Sequence, residues 1–393
     1  MSIRISQPAI NLREKLTEVD TPPIGAHGSE LMNSSSVNES FDLVKAGRKN
    51  IIINGDMQIA QRGTSKTGFN GSPNWVFSTV DRWKLGMSGA GTWTSSQDTD
   101  VPVGQGFTKS WKLDCTTADA AVDSGDYFLL EQRIEANRMA HLCWGTAGAK
   151  PVTLSFWVKS AVTGDGNAMF VGDGFNTTRI INQTFTIHNA NEWEFKTMSF
   201  LAHGPENSFT VNTGTGMRLW IWFKAGATWT AGQGTRNYWR NNASNQQAPG
   251  TTINIASSTS NNLWITGVQL EEGYNVTPFD YKSYDEELRE CQRYFIRRFL
   301  LGQCSTGFSQ SGGGYNSHLM NVPLPCQMRT QPTVTFENAT QSGTFQPGGN
   351  AANFGTLGLG PDFISVTTGS TSTTWTTQVV SHSAPKILVH AEL

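Results

Sequence analysis

The sequence is poor in charge and in long apolar runs. Only 15% of its 393 residues are charged, and the formal net charge is −2. A protein that binds nucleic acid needs a local excess of Lys and Arg to neutralise phosphates, so we expect no nucleic-acid partner. No run of about 18 apolar residues is present, so we expect no membrane insertion. The opening residues MSIRISQPAI lack the apolar stretch of a secretory signal, which predicts a soluble protein that is not exported by the secretory route.

Cysteine and histidine are too scattered to suggest a disulfide framework or a metal site. The five cysteines contain no CxxC pair, and the seven histidines show no HExxH spacing. Structural zinc sites and disulfide-rich folds need regular, closely spaced ligand pairs. We therefore expect free cysteines, no metal and no cofactor.

Glycine, tryptophan and small polar residues are abundant instead. The chain has 40 glycines and 13 tryptophans, a composition typical of turn-rich β structure. The segments KPVTLSFWVKS and EWEFKTMSF alternate between apolar and polar residues, which is the period of a half-buried strand. The segment MRLWIWFKAG is apolar on both faces, so its second face meets another sheet, a partner chain or a ligand. These patterns predict an all-β chain with a jelly-roll β-sandwich over residues 49–282.

Residues 1–48 are polar and contain two short amphipathic patches rather than a core. The apolar residues of the patches are Ile10, Leu12, Leu16, Phe41 and Val44. Such a segment buries too little apolar surface to fold alone. It is either a disordered tail or an anchoring arm, and in the second case these residues are the attachment candidates.

Residues 283–302 have the pattern of a single charged helix. Ser283 and Glu286 have the spacing of a capping box, and Gly302 stands where the pattern ends. The apolar positions recur every three to four residues and form one stripe: Tyr284, Leu288, Cys291, Phe295 and Phe299. We predict a connector helix of about four turns whose stripe packs around a three-fold axis in a homotrimer.

The remaining residues, 303–393, read as a smaller C-terminal β domain. They include only five charged residues among 91, while VPLP, RTQPTVTF and KILVHAEL look like short strands. A monomeric surface with so little charge is poorly soluble. This composition also favours an oligomer that buries part of the domain.

The long segment at residues 227–250 is the strongest candidate for a binding loop. It carries Trp229, Tyr238, Trp239 and Arg240 among Asn and Gln residues. Aromatic faces pack against the apolar faces of sugar rings, and the polar groups suit hydroxyls, so these four residues are glycan-binding candidates. The alternative is that they anchor the segment on its own domain or on a neighbouring subunit, and we favour that alternative.

No pattern in the sequence identifies a catalytic group. Several carboxylates, among them Asp81, Asp98 and Glu131, supply material for the acid pair of a glycoside hydrolase, but nothing places two of them together. No G-x-S-x-G nucleophile elbow is present. We therefore expect a protein that is not an enzyme.

Several segments together resemble structural proteins of tailed bacteriophages, in particular tail-fibre or tail-associated proteins of phages that infect marine bacteria. These segments are RKNIIINGDMQIAQRGTS, VDRWKL, TLSFWVKS, the block WITGVQLEEGYNVTPFDYKSYDEELRECQRYF and the terminal AEL. The resemblance implies a trimeric virion component, assembled in the host cytoplasm and attached through residues 1–48 to other tail or capsid proteins. A capsid or tail-collar protein without receptor contact, and a polysaccharide depolymerase, are the alternatives.

The middle domain is also similar in strand order to jelly-roll carbohydrate-binding modules. This second resemblance implies contact with host-surface glycans. Such modules often hold a structural calcium through an acidic residue in the last strand. Gln269 stands at that place in this sequence, so we expect no calcium.

Overall fold

A computed structural model describes residues 49–232, 237–299, 316–337, 353–359, 363–370 and 386–393. The anchoring-arm candidates Ile10, Leu12, Leu16, Phe41 and Val44 lie outside the described residues. The described residues from Asn50 onward belong to one compact unit.

The described chain is mostly antiparallel β structure, as the alternating patterns predict. The strands of the sandwich are β1 (Ser65–Phe69), β2 (Trp75–Phe77), β3 (Trp83–Ser88), β4 (Thr92–Asp98), β5 (Ser110–Thr117), β6 (Tyr127–Glu135), β7 (Val152–Ser160), β8 (Gly164–Gly172), β9 (Arg179–Ile187), β10 (Glu194–Phe200), β11 (Thr215–Ala225), β12 (Arg240–Asn241) and β13 (Asn262–Glu272). The strands that follow are β14 (Phe295–Phe299), β15 (Asn316–Pro323), β16 (Thr333–Glu337), β17 (Asn353–Leu359), β18 (Phe363–Ser370) and β19 (Lys386–His390). Two α-helices, α1 (Ala227–Thr230) and α2 (Tyr284–Gln292), and three short 3-10 helices, Ala136–Leu142, Ser244–Gln246 and Ile255–Ser257, complete the described elements.

The strands are arranged in two large sheets and two small ones. Sheet A has six strands in the order β1-β4-β5-β13-β7-β10, and sheet B has seven in the order β12-β9-β8-β11-β6-β3-β2. Sheet C is β14-β19-β16 and sheet D is β15-β18-β17. Many neighbours in sheets A and B are distant in the chain, as in a jelly roll, whose strands are not joined by successive hairpins. The predicted all-β sandwich is confirmed.

One apolar core lies between sheets A and B. Leu154, Phe156 and Val158 of β7 are fully buried in it, as their alternation predicts. The indoles of Trp83 in sheet B and Trp111 in sheet A approach within 6.3 Å between ring centres. Side chains from both sheets therefore fill the space between them, which is the defining feature of a sandwich.

The predicted connector helix is only partly correct. Its start is confirmed, because the Ser283 hydroxyl accepts a hydrogen bond from the Glu286 amide at 3.3 Å. The helix ends at Gln292, and Phe295–Phe299 form strand β14, paired with β19. The aromatic and β-branched residues after Gln292 suit a strand, and pairing with a distant segment outweighs their helical spacing.

The predicted apolar stripe therefore does not lie on one helix face. Cys291 is fully buried against Ile53, Ile59 and Tyr294 of the same chain, with Leu288 packed beside them. Phe295 is 2% exposed, whereas Tyr284 is 55% exposed. The side chain of Phe299 lies outside the described part. Two of the four described positions, Cys291 and Phe295, are buried within their own chain, and an oligomer interface at these positions stays a prediction.

Within the described residues no helix is long and apolar enough to cross a membrane.

Candidate functional site

The outer face of sheet B carries an apolar cluster separate from the sandwich core. Its buried members are Tyr127, Leu129, Met169, Val171, Ile180, Trp220, Trp222, Ala225 and Ala248, and Trp75 and Trp229 pack against them. Strand β11 explains the arrangement, because successive side chains point to opposite faces. Leu219 and Ile221 face the core, and Trp220 and Trp222 lie on the outer face.

The aromatic rings of this cluster pack in a continuous series, here called the aromatic surface, in which Trp75 and Trp229 are partly exposed and Trp220 and Trp222 are buried. The ring centres of Trp75 and Trp220 are 5.4 Å apart, and those of Trp220 and Trp222 are 5.8 Å apart. Trp229 extends the series, at 5.8 Å from Trp222. Trp75 lies directly over Gly86, where a Cβ atom would come within 2.6 Å of the indole. The glycine on β3 thus allows Trp75 to lie against the sheet.

The segment after β11 covers the part of this face formed by β8 and β9. The Asn182 side chain donates to the Gln246 carbonyl at 2.8 Å, and the Asn167 side chain donates to the Pro249 carbonyl at 3.0 Å. The Ala248 amide donates to the Trp229 carbonyl at 3.0 Å and closes the segment on itself. Sheet and loop are thus joined by hydrogen bonds from buried side chains.

The structure divides the four glycan-binding candidates between different environments. Trp229 belongs to the aromatic surface, and its indole N–H donates to the Gly125 carbonyl at 3.2 Å. Trp239 belongs to another cluster, 5.2 Å from Trp144, and its indole donates to the Leu201 carbonyl.

Arg240 and Tyr238 also lie in different environments. Arg240 is 9% exposed and its Nε donates to the Gln246 side chain at 2.9 Å, whereas Tyr238 is 47% exposed. Trp229, Trp239 and Arg240 anchor the segment on its own domain, the alternative that the sequence favours. Glycan contact by these four residues stays a prediction.

The rest of the outer face combines the aromatic rings with charged groups. Glu131 of β6 is fully buried and accepts from the Trp220 indole at 2.6 Å and from Arg133 Nε at 2.8 Å. Arg218 forms two hydrogen bonds with the Asp173 carboxylate, at 2.6 and 2.7 Å. An aromatic surface bordered by fixed hydrogen-bonding groups is the composition of a site for an amphipathic ligand.

Lys84 on β3 completes the charged border. Its Nζ lies 3.8 Å from Glu131 and donates to the Leu393 carbonyl at 2.9 Å. Burial lowers the pKa of Lys84 to about 8, and the nearby Glu131 carboxylate opposes that shift. The ammonium is therefore mostly charged at neutral pH and loses its charge in mildly alkaline solution.

Sequence reasoning missed Trp75, Lys84, Glu131, Arg133 and Arg218 as members of one site. Arg218 and Trp220 alternate with apolar residues along β11. This alternation is the sequence signal that could have placed both on the outer face of the sheet. The pairing of β11 with β6 then brings Glu131 opposite Trp220, and that register is not readable from local sequence.

A second polar cluster joins segments that the phage-protein resemblance singles out. Glu392 accepts from Arg62 at 2.9 Å and also from Arg82. Arg62 in turn lies 3.3 Å from the Asp81 carboxylate. Burial raises the pKa of Asp81 to about 7, although Arg62 and Gln61 act in the opposite direction. These contacts fix the end of the described chain against sheet B.

The segment at the end of α2 is held by a second set of contacts, centred on Glu135. The Tyr294 hydroxyl donates to Glu135 at 2.8 Å, and Arg293 donates to the same carboxylate at 2.7 and 3.1 Å. Burial disfavours the charge on Glu135, but the hydrogen bonds from Arg293 and Tyr294 prevail and lower its pKa. These motif residues serve packing and ion pairing, not an open site.

The outer face of sheet A carries a different aromatic set. The Trp264 indole donates to Asp98 at 3.2 Å, and the ammonium groups of Lys112 and Lys159 lie 5.3 and 4.8 Å from its ring. Phe195, 5.2 Å from Trp157, is 42% exposed. In the part of the chain that the structure covers, no group of three or more His, Cys, Asp or Glu side chains could hold a metal ion.

Comparison with known proteins gives likenesses among solved structures. No protein-family model matches the chain, and no curated protein matches it. The enzymatically active domain of tailspike protein 4 of bacteriophage CBA120 is 13% identical, with a TM-score of 0.30, and the match covers 57% of this chain and 21% of that chain. This protein thus spans about a fifth of the tailspike chain's length.

Sugar-binding proteins are matched over nearly their full length. A putative sugar-binding protein of Bacteroides thetaiotaomicron is 11% identical, with a TM-score of 0.30 over 57% of this chain and 100% of that chain. A family 11 carbohydrate-binding module from Clostridium thermocellum, solved with a β-1,3-1,4-mixed-linked tetrasaccharide, is 9% identical, with a TM-score of 0.27 over 54% of this chain and 98% of that chain.

Proposed function

We propose that this chain is a glycan-binding structural subunit of a tailed-phage fibre or spike. The observation that carries the glycan assignment is the aromatic surface on sheet B, where the ring centres of Trp75 and Trp220 lie 5.4 Å apart beside charged side chains. The C–H faces of a sugar ring pack on aromatic rings, while its hydroxyls need nearby donors and acceptors. The surface offers both within one sheet face.

The virion assignment is supported by the resemblance of the sequence segments to phage structural proteins. In this proposal residues 1–48 attach the chain to another tail or capsid protein, and the chain acts as a homotrimer. Host-surface polysaccharide is the partner at the outer end.

We propose binding without cleavage. The two carboxylates beside the aromatic surface, Glu131 and Asp173, are each hydrogen-bonded to an arginine, Arg133 and Arg218 respectively. A retaining or inverting hydrolase needs two carboxyl groups facing one glycosidic bond across a gap of roughly 5 to 9.5 Å. Here Glu131 is fully buried beneath the surface, where it positions Trp220 and Arg133.

The test is a panel of immobilised bacterial capsule and lipopolysaccharide glycans, incubated with the purified full chain. Retention of the chain on one or more glycans, with no release of reducing ends over a day, is the expected result. Release of reducing ends would replace the proposal with a depolymerase. Absence of retention on every glycan, by a correctly folded trimer, would favour a capsid or tail-collar role without receptor contact.

A further inference from the structure

We propose that the ligand of the sheet B surface is an acidic glycan, whose sugar rings carry carboxylate or sulfate groups. This inference rests on the proposed glycan-binding function and specifies the ligand class. The observation behind it is a pair of arginines, Arg133 and Arg218, that stand directly opposite each other on neighbouring strands.

The two arginines share the outer face of the sheet. Arg218 alternates with Met217 and Leu219, which face the core, and Arg133 is its register partner on β6. Directly opposite side chains in an antiparallel pair have Cβ atoms roughly 5 Å apart, and like charges there are destabilising. The chain as a whole has a net charge of only −2 and few charged residues. Glu131 and Asp173 offset part of this repulsion, and a like-charge pair that is retained despite its remaining cost is expected where function requires it.

The counter-charges leave both guanidinium groups partly accessible. Glu131 is fully buried beneath the surface, whereas the Arg133 side chain is 31% exposed. Arg218 is paired with Asp173, and its side chain is 21% exposed. The Nε of Arg133 donates to Glu131. Its two terminal nitrogens donate to no side chain among the described residues. The carboxylate of Glu131 is thus held below the surface, whereas the Asp173 side chain, 23% exposed, lies at the surface beside Arg218.

The cations border the aromatic surface on two sides. The guanidinium carbon of Arg218 lies 4.9 Å from the centre of the Trp220 ring. Lys84, opposite Glu131 on β3, lies 4.6 Å from the Phe77 ring. Trp220 is only 7% exposed, so a sugar ring stacks on the partly exposed Trp75 ring, with Arg218 beside the neighbouring Trp220 ring.

Guanidinium geometry favours an anionic substituent over a hydroxyl. The planar fork of arginine matches carboxylate and sulfate oxygens, and hydrogen bonds between charged partners are roughly twice as strong as neutral ones. With a neutral glycan, the repulsion between the opposed arginines would be offset by Glu131 and Asp173 alone. An acidic sugar ring uses the aromatic face and the arginine pair together.

The test compares four soluble probes by titration calorimetry on the full chain. They are a neutral xylo-oligosaccharide, an oligogalacturonate, a sulfated galactan oligosaccharide and inorganic polyphosphate, which carries charge without a sugar ring. The variant is Arg133→Gln. The matched control is Lys112→Gln, which removes a cation near an indole on the outer face of sheet A. Thermal unfolding of each variant checks that it is folded.

We expect at least one acidic oligosaccharide to bind about tenfold or more tightly than the neutral one, and Arg133→Gln to remove that advantage. The two acidic probes show whether carboxylate or sulfate is recognised. Lys112→Gln is expected to change neither the affinity for the acidic oligosaccharides nor that for the neutral one. If Arg133→Gln fails to fold, Arg133→Lys retains the charge without the fork, and an intermediate loss is expected.

Three results would overturn the inference. Equal or tighter binding of the neutral probe, unaffected by Arg133→Gln, would remove the acidic class and leave the glycan-binding function in place. Equally tight binding of polyphosphate would show that charge alone attracts the ligand. Binding of none of the three oligosaccharides, together with absence of retention on the wider glycan panel, would remove both the inference and the proposed function.

Discussion

The guanidinium carbon of Arg82 lies 3.6 Å from the centre of the Tyr294 ring. Arg82 immediately precedes β3 in the sandwich, and Tyr294 lies between α2 and β14. The same arginine donates to Glu392 and to the Arg133 carbonyl. One buried cation thus links the sandwich, the segment after α2 and the last residues of the chain.

Loss of the Glu392 charge is expected to destabilise the fold. Its carboxylate is 9% exposed and accepts from Arg62 and from Arg82, whose side chain is 1% exposed. Removing one partner of a buried ion pair leaves a charge without compensation, at a cost of about 3 kcal/mol. Glu392→Gln should therefore lower the free energy of unfolding by about that amount in urea titrations. Glu192→Gln, on an exposed residue, is the control, and an equal effect of both changes would contradict the account.

Stability is expected to fall as pH rises through 7, partly because of Glu287. Burial raises the pKa of this carboxyl to about 7, although Lys282 opposes the shift. A carboxyl with a raised pKa in the folded state binds its proton more tightly there than in the unfolded chain. Its contribution is complete below the unfolded pKa, near 4.3, and is lost as pH rises through about 7.

Glu287→Gln removes this titration and should flatten the pH dependence between pH 5 and 8. The slope for a single group has an upper limit of about 1.4 kcal/mol per pH unit. Urea unfolding at several pH values measures the slope for wild type and variant. Asp285→Asn, in the same first helical turn but exposed, should leave it unchanged. A wild-type curve parallel to that of Glu287→Gln would exclude a role for this carboxyl.

Local patterns predicted the sandwich well and the end of α2 poorly, because the end of α2 depends on pairing between segments that are distant in the sequence. The burial of Leu154 and Phe156 follows from the two-residue period of a strand, and Ser283 caps α2 through a contact three residues away. The spacing of Phe295 fits a helix as well as a strand. It lies in a strand because it pairs with His390, which is distant in the sequence. The charged border of the sheet B surface likewise depends on the register of distant strands.

Gly86→Ala is expected to weaken glycan binding while leaving the core intact. A Cβ atom at this position would lie 2.6 Å from Trp75, so the indole must move away from the sheet. Titration of the best-bound glycan from the panel measures the loss, which we expect to be about tenfold. Gly148→Ala, whose Cβ atom would meet nothing closer than 3.8 Å, is the control. Unchanged affinity of the Gly86 variant would place the ligand elsewhere.

The full chain is expected to be a trimer in solution. Light scattering should give three times the chain mass for both preparations, where the chain mass is 42.9 kDa for the full chain and correspondingly smaller after removal of residues 1–48. Because Leu288 packs within its own chain, substitution there would report folding rather than assembly. A monomer in both preparations would contradict the trimeric arrangement. Glycan binding would then be a property of the single chain.

The central claim, that the outer face of sheet B binds glycan, is tested most directly by a pair of aromatic substitutions. Trp75→Ala removes a partly exposed ring from this surface, and Phe195→Ala removes a ring that is 42% exposed on the outer face of sheet A. Affinity for the best-bound glycan should fall about tenfold or more for Trp75→Ala and remain unchanged for Phe195→Ala. Unchanged affinity for Trp75→Ala, with a loss for Phe195→Ala, would contradict the account and assign the site to the opposite sheet.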